Sequence, residues 1–330
     1  MRHPRCGPPG AKGSSSSSSW FVLALLFCAT FPNRHAVAVN ECVNKYSQFG
    51  ACSSGAIEIS TSVVSIAARA FEDCSGLTNI HIPTSVTDIG EFAFKSCTGL
   101  SSIDIPTSVA FIGTAAYHSC SSLAVVNLPT SVTSTGTYLF DSCSSLTSID
   151  IPTSMFFVGA YMFQLCSGLT RVSIPTSVTL IGESAFSFCQ KLTTIALPTS
   201  LSNIGMHGFM YCTALTSIVL PTSLSMIGET AFYYNINLQS VDIPTSVVSI
   251  GATVFSYSTS LSSIKLSTSL SSIGNNAFGT DIIGPCNTGT ATKLYVPAGL
   301  AQSVYSSVQI ACSVVVVDTA AAGQYGCIIT

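Results

Sequence analysis

The tripeptide Pro-Thr-Ser begins at residues 83, 106, 129, 152, 175, 198, 221 and 244, each 23 residues from the next. Ser60 and Ser267 hold the same phase one step beyond either end. A unit this short cannot bury its own apolar residues, so successive units must stack as the coils of one elongated solenoid. Function in such a chain belongs to a repetitive surface and its irregularities, not to a deep pocket.

The unit Leu77 to Gly99 shows how one coil works. Leu77, Ile80 and Ile82 follow the spacing L-x-x-L-x-L, and residues 80 and 82 share one face of a short strand. Stacking such strands gives a parallel sheet with rungs about 4.8 Å apart. Pro83 lacks the N–H that a ladder needs and ends the strand. Val86 and Ile89 carry a second extended segment back across the core. Gly90 is expected to make a tight corner, and it recurs at 113, 136, 159, 182, 205, 228, 251 and 274. An aromatic column follows: Phe71, Phe94, Tyr117, Phe140, Phe163, Phe186, Phe209, Phe232, Phe255 and Phe278.

Composition narrows the function classes. Only 8% of residues are charged, against about 25% in ordinary soluble domains. Net charge is −3, and no basic run follows the N-terminal region, which argues against a nucleic-acid partner. Residues 1–38 read as a secretory signal: Arg2, Arg5 and Lys12, then an apolar stretch from Trp20 to Phe31, then Ala36-Val37-Ala38 as the cleavage pattern. A stretch of twelve residues is too short for a bilayer core of roughly 30 Å, and no later segment reads as transmembrane. The chain divides into a signal (1–38), an N-terminal cap (39–56), the solenoid (57–282) and a C-terminal cap (283–330).

The full pattern L-x-x-L-x-L-P-x-x-L-x-x-I-G-x-x-A-F-x-x-C resembles leucine-rich repeats of the bacterial-surface-antigen (BspA-like) class. Leu100 to Gly113, with Tyr117 and Cys120, is one complete copy. The resemblance implies a leucine-rich-repeat solenoid of about ten coils, with a parallel sheet on its concave face and short extended or 3-10 segments on its convex side. It further implies an extracellular or surface-exposed binding or adhesion protein with no common enzymatic activity. Leu294-Tyr-Val-Pro-Ala-Gly followed by 301–307 looks like the strand–helix unit that closes such arrays, with Pro297 set 30 residues after Ser267.

Cys74, Cys97, Cys120, Cys143, Cys166, Cys189 and Cys212 share one column, continued by Asn235 and Ser258. Their linear arrangement does not converge on a point, as a metal site requires. A buried structural ladder fits better, because Asn and Ser replace Cys as donors. Off the grid, Cys42, Cys52, Cys286, Cys312 and Cys327 suit disulfide staples at the solenoid ends of a secreted protein. Cys42–Cys52 is the preferred pair, and pairing among the C-terminal three is open. The terminal Cys327-Ile-Ile-Thr matches a prenylation box by coincidence, since secretion contradicts it.

Candidate ligand residues lie where the columns vary. One outward strand column runs His81, Asp104, Asn127, Asp150, Ser173, Ala196, Val219, Asp242 and Lys265, with His81–Asp104 and Asp242–Lys265 as possible pairs. Its neighbour runs from Asn79 through Arg171 to Ser263. Phe188, Tyr211, Tyr234 and Tyr257 form an aromatic edge suited to sugar or protein side chains. Phe111, Phe156 and Phe157 add apolar exposure. Repeated Ser and Thr also raise ice- or crystal-surface binding, which Val, Arg and Asp in the outward grid oppose. No catalytic motif, cofactor motif or N-x-S/T sequon occurs. The expected partner is therefore an extracellular protein or glycan, with no cofactor and no enzyme activity. The alternative is a wall or matrix component that self-associates laterally.

Overall fold

The computed structural model describes residues 35–37, 42–43, 55–279 and 293–295, the first two and the last of these as backbone alone. The bond expected to be cleaved after Ala38, Cys52, Cys286, Cys312, Cys327 and the closing helix lie outside the described residues, as does the side chain of Cys42. Among the described residues every regular element is a short strand, and no helix occurs, 3-10 helix included. Ten coils follow one another. Coil 1 runs 55–76, coil 2 starts at Leu77, and each later coil starts 23 residues on, at 100, 123, 146, 169, 192, 215, 238 and 261.

All pairing is parallel and nearly all of it joins residues one period apart, as in Ser148↔Arg171 and Asp242↔Lys265. Two strand files result. The long-strand file contains Leu77–His81, Ser102–Asp104, Val125–Asn127, Ser148–Asp150, Arg171–Ser173, Ser240–Asp242 and Ser263–Lys265. It falls into short ladders: residues 194–196 and 217–219 are not paired as strands, Leu77–His81 does not pair with Ser102–Asp104, and Val125–Asn127 does not pair with Ser148–Asp150. The short-strand file, typified by Asp88–Ile89 and Ile181 beside Ile204, is longer and more continuous. The backbone adds a rung at each end. His35–Val37, within the segment expected to be a leader, pairs with Ile57–Ile59. Lys293–Tyr295 pairs with Ser263–Lys265 at the expected offset of 30 residues.

The core is one continuous cluster from Ile57 to Phe278. Along it the aromatic column stacks ring on ring, from 5.1 Å between Phe71 and Phe94 to 6.1 Å between Phe255 and Phe278. Each buried ring supplies roughly 1.5–3 kcal/mol of burial free energy, which none could gain without the coil beside it.

The third side of each coil is a chain of tight bends carrying two left-handed residues. Arg69, Phe92, Tyr138, Tyr161, His207 and Thr253 occupy the first such position, and Asp73, Ser96, Phe188, Tyr211, Tyr234 and Tyr257 the second, with φ from 50° to 63°. Left-handed backbone costs a non-glycine residue roughly 1–2 kcal/mol. It persists because alternate N–H groups on this side donate to the following coil, as Phe92 to Thr114 and Phe94 to Ala116, each at 2.8 Å.

The glycine column has a different cause from the one expected. Gly90 and its equivalents are absent from the positive-φ residues. A Cβ added at Gly90 would instead lie 2.5 Å from the backbone nitrogen of Ala68 in the preceding coil. Glycine is required for close stacking, not for a left-handed corner.

Candidate functional site

The outward strand column is exposed as expected, with its alternate residues buried beneath it. Two local contacts organise it. Asn127 Nδ2 donates to Asp104 Oδ1 across paired strands at 3.0 Å. Arg171 donates diagonally to Asp150 at 3.2 Å, with side chains 66% and 71% exposed. Pairs this exposed contribute little to stability, so both leave their polar atoms open to a partner.

The other expected pairs are not made. His81 stands opposite Glu58, and its strand does not pair with the strand of Asp104. Asp242 and Lys265 are in register, yet no described ion pair joins them. The structure therefore brings Asp104 to Asn127 and Asp150 to Arg171, and leaves His81 apart.

The aromatic edge is real and mostly occupied with itself. Tyr211 is sandwiched between Phe188 and Tyr234, each centroid 4.6 Å away, while Tyr234–Tyr257 is looser at 5.9 Å and 37°. Tyr233 adds an edge-on contact to Tyr257. Stacking on each other takes up ring faces that a sugar would need. All four edge residues sit at the second left-handed position of their coils.

Hydroxyl richness is likewise largely internal. In six of the eight Pro-Thr-Ser units the serine donates to a carbonyl of the coil before it, as Ser85 to Val63 at 2.6 Å, Ser108 to Val86 at 2.5 Å and Ser200 to Val178 at 2.6 Å, whereas the Ser131 and Ser246 hydroxyls are buried without a partner. Thr170, Ser202, Ser225 and Ser262 do the same elsewhere on the coil. These oxygens serve the backbone and are not a free lattice for a crystal surface.

The cysteine column is a donor ladder. Cys97 Sγ donates to the Phe71 carbonyl at 3.0 Å, and Asn235 and Ser258 make the same bond to Phe209 and Phe232, each at 3.1 Å. Burial pushes the Cys97 and Cys212 thiols up to about 12, far from the thiolate that nucleophilic or metal chemistry needs. Six members, Cys97 to Cys212, are free. Cys74, expected to join the same buried ladder, is instead disulfide-bonded.

A polar file on the bend side was not expected. Residues 72, 95, 118 and 141 share one column. Buried Glu72 takes Arg69 at 2.9 Å and Lys95 at 3.3 Å, and Phe92 lies beneath both cations at 4.5 and 5.6 Å. Burial alone would raise the Glu72 carboxyl, but the bonds from Arg69 and Lys95 hold it below its ordinary value. One step on, His118 Nδ1 lies 3.1 Å from buried Asp141, a close contact without hydrogen-bond alignment. The signal available was an acid and a base one 23-residue step apart, Glu72 with Lys95 and His118 with Asp141. Tyr161 donates to Glu183, and His207 meets Thr230. Among the described residues no cluster of three or more His, Cys, Asp or Glu side chains could hold a metal ion. No described helix is long and apolar enough to cross a membrane.

Parallel coils, a leucine-to-isoleucine strand face, an inward aromatic column and a cysteine-to-carbonyl ladder define a leucine-rich-repeat solenoid. The chain belongs to the BspA type leucine rich repeat family, whose pattern matches residues 44–170 and 157–282 in 6 copies. Solved structures with similar folds include a leucine-rich repeat protein from Bacteroides ovatus, 26% identical, covering 84% of this chain and 90% of that one with a TM-score of 0.46. A leucine rich cell surface protein from Faecalibacterium prausnitzii is 22% identical over 77% of this chain and 90% of its own, TM-score 0.42. The pneumococcal vaccine antigen PcpA is 19% identical over 86% and 84%, TM-score 0.49. No curated protein matches the chain.

Proposed function

We propose that this protein is a secreted or surface-exposed binding protein that presents its outward long-strand face to an extracellular protein. The observation that carries the reading is the exposed pair of contacts Asp104–Asn127 and Asp150–Arg171. They lie where the repeat stops being uniform, and the buried columns and hydroxyl ladders around them are used up in holding coils together. Shallow solenoid faces of this kind suit broad protein partners. Repeats of this family serve in general as binding scaffolds and not as enzymes. The self-stacked aromatic edge favours a protein partner over a glycan.

The test is binding of the purified protein to arrays of extracellular-matrix proteins and of glycans. A protein hit should weaken at least about tenfold, about 1.4 kcal/mol, when Asp104, Asp150 and Arg171 are changed together to Ala, with thermal stability kept. Undiminished binding by that variant, or hits confined to glycans, would overturn the reading.

A further inference from the structure

One junction in the rod differs from all the others. At the remaining junctions the short-strand side is closed by two bonds, typified by Thr179 N–H to the Phe156 carbonyl and Gly182 N–H to the Val158 carbonyl, each at 2.9 Å. Between coils 4 and 5 the equivalents, Phe156 to Thr133 and Gly159 to Thr135, are missing among the described bonds. The strand Ser134–Thr135 accordingly ends one sheet and Phe157–Val158 begins the next. The long-strand file is broken at the same junction, since Val125–Asn127 and Ser148–Asp150 do not pair. Elsewhere at least one file is continuous across each step from coil 1 to coil 10.

Independent features mark the same place. A Cβ built on Gly159 meets nothing nearer than 3.7 Å, whereas at Gly113 and Gly182 it would lie 2.5 and 2.7 Å from the neighbouring backbone. Thr135 holds a buried hydroxyl without a partner. Phe156, the flanking residue, is 64% exposed.

The packing gives a reason. At Gly208 an added Cβ would sit 2.9 Å from Ile204 Cγ2, so the side chain four residues after the second strand rests on that strand's inward residue. This position is alanine in coils 1, 2, 3, 6, 8 and 10, but Leu139 and Met162 in coils 4 and 5. Both are buried. The inward residues beneath them are reduced to Thr135 and Val158, where most coils have isoleucine. Bulk placed under the strand edge, with a shorter partner above it, wedges the two coils apart on that side.

The bend side stays closed, and on the short-strand side one side-chain bond remains, from the Ser154 hydroxyl to the Val132 carbonyl at 2.5 Å. Tyr138, Phe140 and Ser142 donate to Ala160, Met162 and Gln164 at 3.1, 2.9 and 2.8 Å, and Tyr138 stacks on Tyr161 at 4.3 Å. We propose that the coil 4–coil 5 junction is a built-in flexure: the bend-side ladder is its pivot, and the two strand faces open and close. Hinges form where few bonds resist a local change. The flexure alters the distance between the Asp104–Asn127 pair on one arm and the Asp150–Arg171 pair on the other. It does not depend on that face being a binding site.

Amide hydrogen exchange on the intact protein tests this. Phe156 and Gly159 should exchange about tenfold or more faster than their equivalents Thr179 and Gly182. In a Thr135→Ile, Leu139→Ala, Met162→Ala variant, Gly159 should gain the protection of Gly182. Spin labels at exposed Thr107 and Thr199, four coils apart across the junction, should give a broader distance distribution than labels at Thr153 and Thr245, four coils apart within one arm. Equal protection of Gly159 and Gly182 in the unmodified chain, or equal label distributions, overturns the proposal even if the variant fails to fold.

Discussion

The thiol of Cys120 donates to the carbonyl of Phe94 in the preceding coil at 3.1 Å. That carbonyl already accepts the Cys97 N–H at 3.1 Å, so the thiol fills its second lone pair, a net contribution of about 0.5–1.5 kcal/mol. Cys143 does the same for Tyr117. Cys143→Ser retains the donor, as Ser258 already does, and should change stability by less than about 1 kcal/mol. Cys143→Val removes it and should cost about 0.5–1.5 kcal/mol, since the Tyr117 carbonyl keeps the Cys120 N–H; urea denaturation measures both. Because burial raises these thiols well above their ordinary value, the six free members should resist a thiol reagent until the protein unfolds.

This ladder shows how much the chain announces in advance. Asn235 and Ser258 standing in a cysteine column give away a donor role, since all three side chains can serve a carbonyl while only one can serve a metal or a disulfide. The period, the aromatic spine and the strand face were legible for the same reason: burial restricts residue choice, so repetition becomes visible. The two left-handed positions were not legible. Backbone ladders impose that conformation on Arg, Tyr, Leu and Thr alike, and no residue preference survives to mark it. The glycine column was visible but its cause was not, because the atom it avoids belongs to a residue about one period back. The outward contacts were half legible: the 23-residue column placed Asp104 beside Asn127, while the diagonal Arg171–Asp150 contact and the unpaired His81 depend on which strands hydrogen-bond.

Tyr117 is the lone tyrosine in a column of phenylalanines, and its hydroxyl is buried without a partner. The ring stacks normally, 5.2 Å from Phe94 and 5.6 Å from Phe140. Tyr117→Phe keeps the ring and deletes the orphaned oxygen. It should stabilise the protein by about 1 kcal/mol or more, read as a rise in the urea midpoint with an unchanged slope.

Two glycines in one column should respond oppositely to the same change. In Gly113→Ala the new methyl would lie 2.5 Å from the backbone of Glu91, which has no way to retreat without breaking the coil stack. Overpacking of that kind costs about 1–3 kcal/mol or more. Gly159→Ala meets only open space within 3.7 Å, and loss of glycine's freedom in the unfolded chain should make it neutral or stabilising by up to about 1 kcal/mol. Equal destabilisation by both would contradict the wider spacing at the coil 4–coil 5 junction.

Glu72 ties the first two coils together, and its charge sets how that end responds to acid. Arg69 and Lys95 hold its carboxyl below the ordinary value against the opposing push of burial. A depressed folded-state value means that the ionised form is favoured more by the folded protein than by the unfolded chain. The stabilisation is thus fully present above the unfolded carboxylate value of about 4.3, and it is lost as pH falls through the folded value. Thermal midpoints measured between pH 7 and pH 3 should fall for the unmodified chain. Glu72→Gln should be less stable at neutral pH, because it leaves Arg69 and Lys95 without their shared anion, and its acid slope should be shallower. High salt should weaken the neutral-pH difference between the two proteins only partly, since Glu72 is 7% exposed and poorly screened. If Glu72→Gln instead kept the parent's stability and the parent's acid slope, the pair of cations would contribute nothing net.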